Sequence, residues 1–149
     1  MNTTKEVAAS DGDDGSPSWF STVTQVRIAR PTHQLERVVA FYRDDLGLVE
    51  ITRFADHDGY SGVILGLPNR RYHLEFTQHE AGSPCPAPSR DNLLVLYLPD
   101  RNALQMLRER LEQRGHPTVP PENPYWLDKS VTFADPDGWR VVLCSEAGV

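Results

Sequence analysis

Apolar and polar residues alternate along Val23–Ala29: Val26 and Ile28 fall on one side of an extended chain, Gln25 and Arg27 on the other. That period of two predicts a strand. The spacing then changes. Leu35, Val38, Val39, Tyr42 and Leu46 recur at helical intervals and form an apolar stripe. Thr32 is placed as an N-cap and Gly47 where a left-handed C-terminal cap belongs. Leu48–Phe54, Tyr60–Leu65 and Arg71–Thr77 return to strand character, punctuated by Asp58-Gly59 and Gly66-Leu67-Pro68-Asn69. Gln78–Arg90 then carries Gly82, Pro84, Pro86 and Pro88, too many prolines for a strand or helix interior.

The pattern starts again at Leu93–Leu98. Asp100 is expected to cap a helix over Arg101–Arg114, with Leu104, Leu107 and Leu111 on one face and Gly115 ending it. A short strand is expected at Pro117–Val119, and two more at Val131–Ala134 and Arg140–Ser145. Asp135-Pro136-Asp137-Gly138 joins the last two, a turn sequence with Pro second and Gly fourth. Gln25 and Leu93 lie 68 residues apart, Pro31 and Pro99 likewise, and Glu75 and Val142 lie 67 apart. One duplication accounts for all three. The expected organisation is a disordered tail (1–19), a first βαβββ module (20–79), a proline-rich linker (80–90) and a second βαβββ module (91–147).

On each strand one face is apolar and must take the helix. Val26, Ile28, Leu74 and Phe76 are assigned to it in the first half, and Leu94, Leu96, Leu98, Val141 and Leu143 in the second. The opposite face holds Gln25, Arg27, His73 and Glu75, then Leu93, Val95, Tyr97, Arg140, Val142 and Cys144. Such a mixture suits a half-buried concave wall better than open solvent or a dry core.

Composition narrows the function classes. A chain of 149 residues is long enough for one well-cored domain. Its net charge of −6, with no basic cluster beyond Arg70-Arg71, argues against nucleic acid as a partner. No apolar run has the ~20 residues of a membrane span. The N-terminus lacks the apolar core of a signal peptide, so a cytoplasmic location is expected and Cys85 and Cys144 are read as reduced thiols. Asp11-Gly12-Asp13-Asp14-Gly15 lacks the downstream Glu and flanking helices of a calcium loop. No serine sits in a GxSxG elbow, and Gly62-Val63-Ile64-Leu65-Gly66 lacks the Lys-Ser/Thr of a phosphate loop.

Phe41-Tyr42-Arg43-Asp44-Asp45-Leu46-Gly47-Leu48, Tyr72-His73-Leu74-Glu75-Phe76 and Asp135-Pro136-Asp137-Gly138-Trp139-Arg140, in that order within a duplicated frame, resemble the vicinal oxygen chelate superfamily. Glyoxalase I, bleomycin-resistance proteins, fosfomycin-resistance enzymes and extradiol dioxygenases belong to it. The resemblance covers about Phe20–Ser145. It implies an α+β fold of two tandem βαβββ modules forming a cupped mixed sheet around a cavity, and a homodimer. In metal-dependent members, positions similar to Gln25, Glu75, Leu93 and Val142 hold the ligands. Here only Gln25 and Glu75 can donate oxygen. Asn92 is one residue out of step and faces the other way.

Two functions follow from the resemblance. One is a small-molecule-binding protein with no resident metal. The other is a metal-dependent lyase, isomerase or dioxygenase in which Gln25 and Glu75 hold a divalent cation such as Mg²⁺ or Mn²⁺. A pure interaction module is a third. Three readings stay open for Glu75: an ion pair with Arg27 or Arg140, a charge that meets the ligand, or a metal ligand. His73 shares its face, roughly 6–7 Å along the strand. His33, His57, His79 and His116 are assigned to surface or packing roles. Gln25, Arg27, His73, Glu75, Tyr97 and Arg140 are expected to line the pocket. Tyr125 and Trp126 would overhang its mouth and stack on a ligand, or pack on the sheet edge. Trp139 alternates away from Arg140 and is expected to pack.

Overall fold

In the computed structural model, residues 22–69, 72–83 and 85–148 are described. The tail expected to be disordered, including Asp11–Gly15, and the pair Arg70-Arg71 lie outside the described residues. β1 (Val26–Pro31) leads into α1 (Leu35–Val39) and a π-helical turn, Ala40–Asp45. β2 (Val49–His57), β3 (Tyr60–Gly66) and β4 (Tyr72–His79) complete the first half. The second half contains β5 (Leu93–Tyr97), α2 (Arg101–Gln113), a 3₁₀ turn (Pro124–Trp126), β6 (Ser130–Ala134) and β7 (Arg140–Cys144). The first sheet runs β1-β4-β3-β2 and the second β5-β7-β6. β1 is parallel to β4 and β5 to β7, and the remaining pairs are antiparallel. The fold class is therefore α+β, built from two like halves with a helix on each crossover.

Several local expectations change. Thr32 does not cap α1. Its Oγ1 accepts the Gln34 N–H (3.1 Å), closing a turn before the helix begins. The Leu35 N–H is instead taken by Gln78 Oε1 from β4 (2.9 Å). The expected single helix widens after Val39 into the π-turn, where Phe41 and Tyr42 are both buried. Gly47, at φ 99°, lets the chain reverse, and Leu48 N–H reaches back to Tyr42 O (2.9 Å). The expected strand Pro117–Val119 is reduced to one bridge between Val119 and Thr132. Pro117, Pro120 and Pro121 have no N–H to extend a ladder. Asp100 does cap α2, its Oδ1 accepting from Asn102 N (2.9 Å) and Ala103 N (3.2 Å).

One apolar core serves both halves. Val38, Phe41, Tyr42, Val63, Leu65, Leu74 and Phe76 join Leu94, Leu111, Phe133, Val141 and Leu143 in a single cluster. Both sheets thus present their helix-bearing faces to a shared interior, and their other faces point away from it, that of the second sheet with Thr132, Val142 and Cys144 still buried. Val26 and Ile28 do not take the helix as expected. They are 52% and 45% exposed, whereas Arg30, two residues on along the same face, is buried. β1 is an edge strand that outruns the short α1, so its first half has nothing to pack on.

The pairing registers also refine the duplication. Arg27 pairs with His73 and Ala29 with Glu75, while Leu93 pairs with Arg140 and Val95 with Val142. Glu75 and Val142 occupy matching points. The counterpart of Leu93 is Arg27, two residues beyond Gln25, so the spacing of 68 between Gln25 and Leu93 does not mark equivalent positions.

Candidate ligand-binding face

The outward face of the first sheet carries Gln25, Arg27, His73 and Glu75, as the alternation predicts. Gln25 Nε2 donates to His73 Nδ1 (2.6 Å). Arg27 NH1 lies 3.5 Å from Glu75 Oε2, a loose ion pair with the arginine well exposed. Of the two arginines expected as partners of Glu75, Arg27 is the one chosen. Gln25 and Glu75 are each engaged with a different neighbour and share no hydrogen bond among the described residues.

Sequence reasoning missed the apolar part of this face. Ile64 pairs with Glu75 and is buried. Gly62 and Gly66 flank it on the same face. A Cβ on Gly62 would meet the Phe54 ring, and one on Gly66 would meet Ile51 Cδ1 (2.8 Å) and His73 Cδ2 (2.9 Å). The two glycines therefore let Phe54 and Ile51 lie flat across the sheet. Their spacing of four within a strand was the available signal.

The matching face of the second sheet carries Leu93, Val95, Tyr97, Ser130, Thr132, Arg140, Val142 and Cys144. It is largely apolar, with Val142 and Cys144 wholly buried. Arg140 NH1 donates to Gly138 O (2.8 Å). Tyr97 is exposed and borders a cleft of about 370 Å³ with Leu46, Leu48, Tyr72 and Leu107. Tyr125 and Trp126 sit in the 3₁₀ turn, which Asn123 Oδ1 caps by accepting from Tyr125 N (3.0 Å). Lys129 Nζ lies 3.1 Å from the Tyr125 ring centroid. Tyr125 and Trp126 contact each other edge to face. No hydrogen bond or ion pair among the described residues joins Gln25, Arg27, His73 or Glu75 to Tyr97, Tyr125, Trp126 or Arg140. Within one chain these are two separate groups.

A buried polar tie holds the halves together between these faces. Tyr42 OH donates to Asp135 Oδ2 (2.8 Å), and Asp135 Oδ1 accepts from Asp137 N and Trp139 N (both 2.9 Å). Burial pushes the Asp135 carboxyl up, against the pull of these donors. Burial, and then the charge of Asp135, push the Tyr42 hydroxyl well up too. Arg30 stacks 4.0 Å over the Trp139 ring, so Trp139 packs rather than facing the ligand side. Gln34 Nε2 adds a bond to Asp137 Oδ1 (2.6 Å). The Asp-Pro-Asp-Gly turn is thereby a fastening between modules.

Among the described residues no three His, Cys, Asp or Glu side chains gather as a cation cage, and no helix is long and apolar enough to cross a membrane. Cys85 and Cys144 are free thiols.

Paired halves of this topology, shared with the relatives described next, place the chain in the vicinal oxygen chelate superfamily. Within it, the chain belongs to the YycE-like family: residues 26–77 match the YycE-like N-terminal domain and residues 91–145 the YycE-like C-terminal domain. It is 48% identical over 125 residues to the uncharacterized protein YycE of Bacillus subtilis, covering 84% of this chain and 90% of that one. The crystal structure of a Bacillus subtilis YycE protein of unknown function, suggested to be a glyoxalase/fosfomycin resistance protein, superposes with a TM-score of 0.81 over 85% of this chain and 92% of that one, at 48% identity. The fold is shared more distantly with Leishmania major glyoxalase I (TM-score 0.64, 17% identity, 82% and 86% of the chains). It is likewise shared with an antibiotic binding protein from a Streptomyces species (TM-score 0.59, 21% identity, 82% and 95% of the chains).

Proposed function

We propose that the chain binds a small organic molecule against these outward faces, without a resident metal, and does so as a homodimer. The observation that carries the reading is the guanidinium of Arg27 beside Glu75. A second cation there would meet a positive charge already in place. Leu93 and Val142 add no donor atom, so the two halves together do not make up a ligand set. Phe54, Ile51 and Ile64 give the first face an apolar floor beside its polar groups, the composition of an organic-ligand site. The antibiotic binding protein of similar fold supports this class of activity by analogy.

The dimer rests on the unpaired edge of β1, on the exposure of Val26 and Ile28, and on the outward aspect of both faces. A second copy seated along that edge would cover Val26 and Ile28. The test is thermal melting against a panel of planar and apolar organic compounds, with and without EDTA. Ligand-dependent rises in Tm that EDTA leaves unchanged are expected. A drop of several degrees on adding EDTA alone would overturn the metal-free reading.

The common face of Gln25, His73 and Glu75 favours a second reading, a metal-dependent lyase, isomerase or dioxygenase. It requires that Glu75→Gln release bound divalent metal in elemental analysis. Unchanged metal content removes it.

A further inference from the structure

Two polar atoms among the described residues are buried without a hydrogen-bond partner, Thr132 Oγ1 and Arg140 Nε. Both residues lie on the outward face of the second sheet: Thr132 pairs with Val142 on β7, and Arg140 pairs with Ala134 on β6. They are diagonal neighbours, about 7–8 Å apart at the backbone and within reach of a long side chain. The surroundings are apolar, since Leu93, Val95 and Val142 share the face. Thr132 is only 2% exposed. Arg140 spends NH1 on the Gly138 carbonyl, and no carboxylate lies within ion-pair distance of it among the described residues. The first sheet differs on this point, because Arg27 has Glu75.

A guanidinium partly withdrawn from water without a counter-ion is costly, as is a buried hydroxyl without a partner. Nε carries a donor and nothing else, and a threonine hydroxyl can donate. Two unpartnered donors on one face, one of them charged, call for a negatively charged oxygen acceptor. We propose that Arg140 and Thr132 form an oxyanion subsite, which receives a carboxylate or phosphate-class group of the ligand on the face of the second sheet. The proposal rests on the small-molecule reading above and gives that ligand a charge. Arg27, already neutralised, takes no part.

The experiment titrates the full-length protein with inorganic phosphate and, separately, with acetate and benzoate, by calorimetry. Arg140→Met, Thr132→Val and, as a control on the exposed side of α2, Arg108→Gln are titrated alongside, each first checked for native circular dichroism. Saturable binding of one anion class by the wild type is expected. Thr132→Val, isosteric and mild, should weaken it about tenfold, the loss of a hydrogen bond to a charged group. Arg140→Met should abolish it, and Arg108→Gln should leave it unchanged. Phosphate without carboxylate binding, or the reverse, names the source of the oxygen. Should Arg140→Met fail to fold, the Thr132→Val and Arg108→Gln pair decides. No anion binding by the wild type, equal binding by Thr132→Val, or an equal loss in Arg108→Gln overturns the subsite. Neutral organics that bind wild type and Arg140→Met alike sink the subsite and leave the small-molecule reading standing. Anion binding with no organic ligand found sinks the latter alone.

Discussion

Asp135 exchanges its water for three protein donors: the Tyr42 hydroxyl and the N–H groups of Asp137 and Trp139. Burial still dominates, so the folded chain takes up this proton at a higher pH than the ordinary value of 3.8. Between that value and the folded one, the folded state binds more protons than the unfolded state. Asp135 therefore costs stability as pH rises through that window. Asp135→Asn keeps an acceptor for the two backbone donors and has no charge to lose. Against this variant, the wild type should lose stability as pH climbs from 3.8, measured by urea denaturation at a series of pH values. Parallel curves would refute the assignment. Removing the hydroxyl alone, in Tyr42→Phe, should cost about 1–3 kcal/mol, because a buried carboxylate oxygen loses its donor. The turn sequence was legible as a turn, and Tyr42 as a core residue. Their bond was not, because residues 93 positions apart meet only once the two halves pack. For the same reason, sequence put both Arg27 and Arg140 on the expected concave wall and could not choose the partner of Glu75.

At the level of elements, the two helices show what local signals reach. α2 was readable end to end because Asp100 caps it and Gly115, at φ 88°, closes it. α1 was not. Its first N–H is satisfied by Gln78, a residue from another strand, so no local cap marks its start. Gln78→Leu should cost roughly 1–2 kcal/mol, a lost cap at a half-buried site. Chemical denaturation reads it, and a change within error would show that water replaces the side chain. The π-turn escaped notice because Leu35, Val38, Val39, Tyr42 and Leu46 fit ordinary helical spacing. The shift lies in the backbone, where Leu46 N–H bonds Phe41 O (2.8 Å). The same limit applies to β1. Alternation placed Val26 and Ile28 on the helix side correctly, but the length of the helix decides whether they are covered.

For the whole molecule, duplication was the strongest message in the sequence, and Glu75 and Val142 do fall at matching points. The relation of the halves was not legible, since either face of each sheet could have been turned inward. The interior they share leaves both candidate faces outward. On the proposed function, association of two chains is the step that covers Val26 and Ile28. Ile28→Asp, on a residue with much of its surface already in water, should leave circular dichroism and the thermal transition nearly intact. It should shift sedimentation from dimer to monomer. A monomeric wild type would refute the dimer outright. The arginine beside Glu75 has a further consequence. A charge bonded covalently to the backbone arrives with translation and leaves only with the protein. Its occupancy is independent of ion homeostasis, and neither chelation nor starvation for trace elements can empty that position.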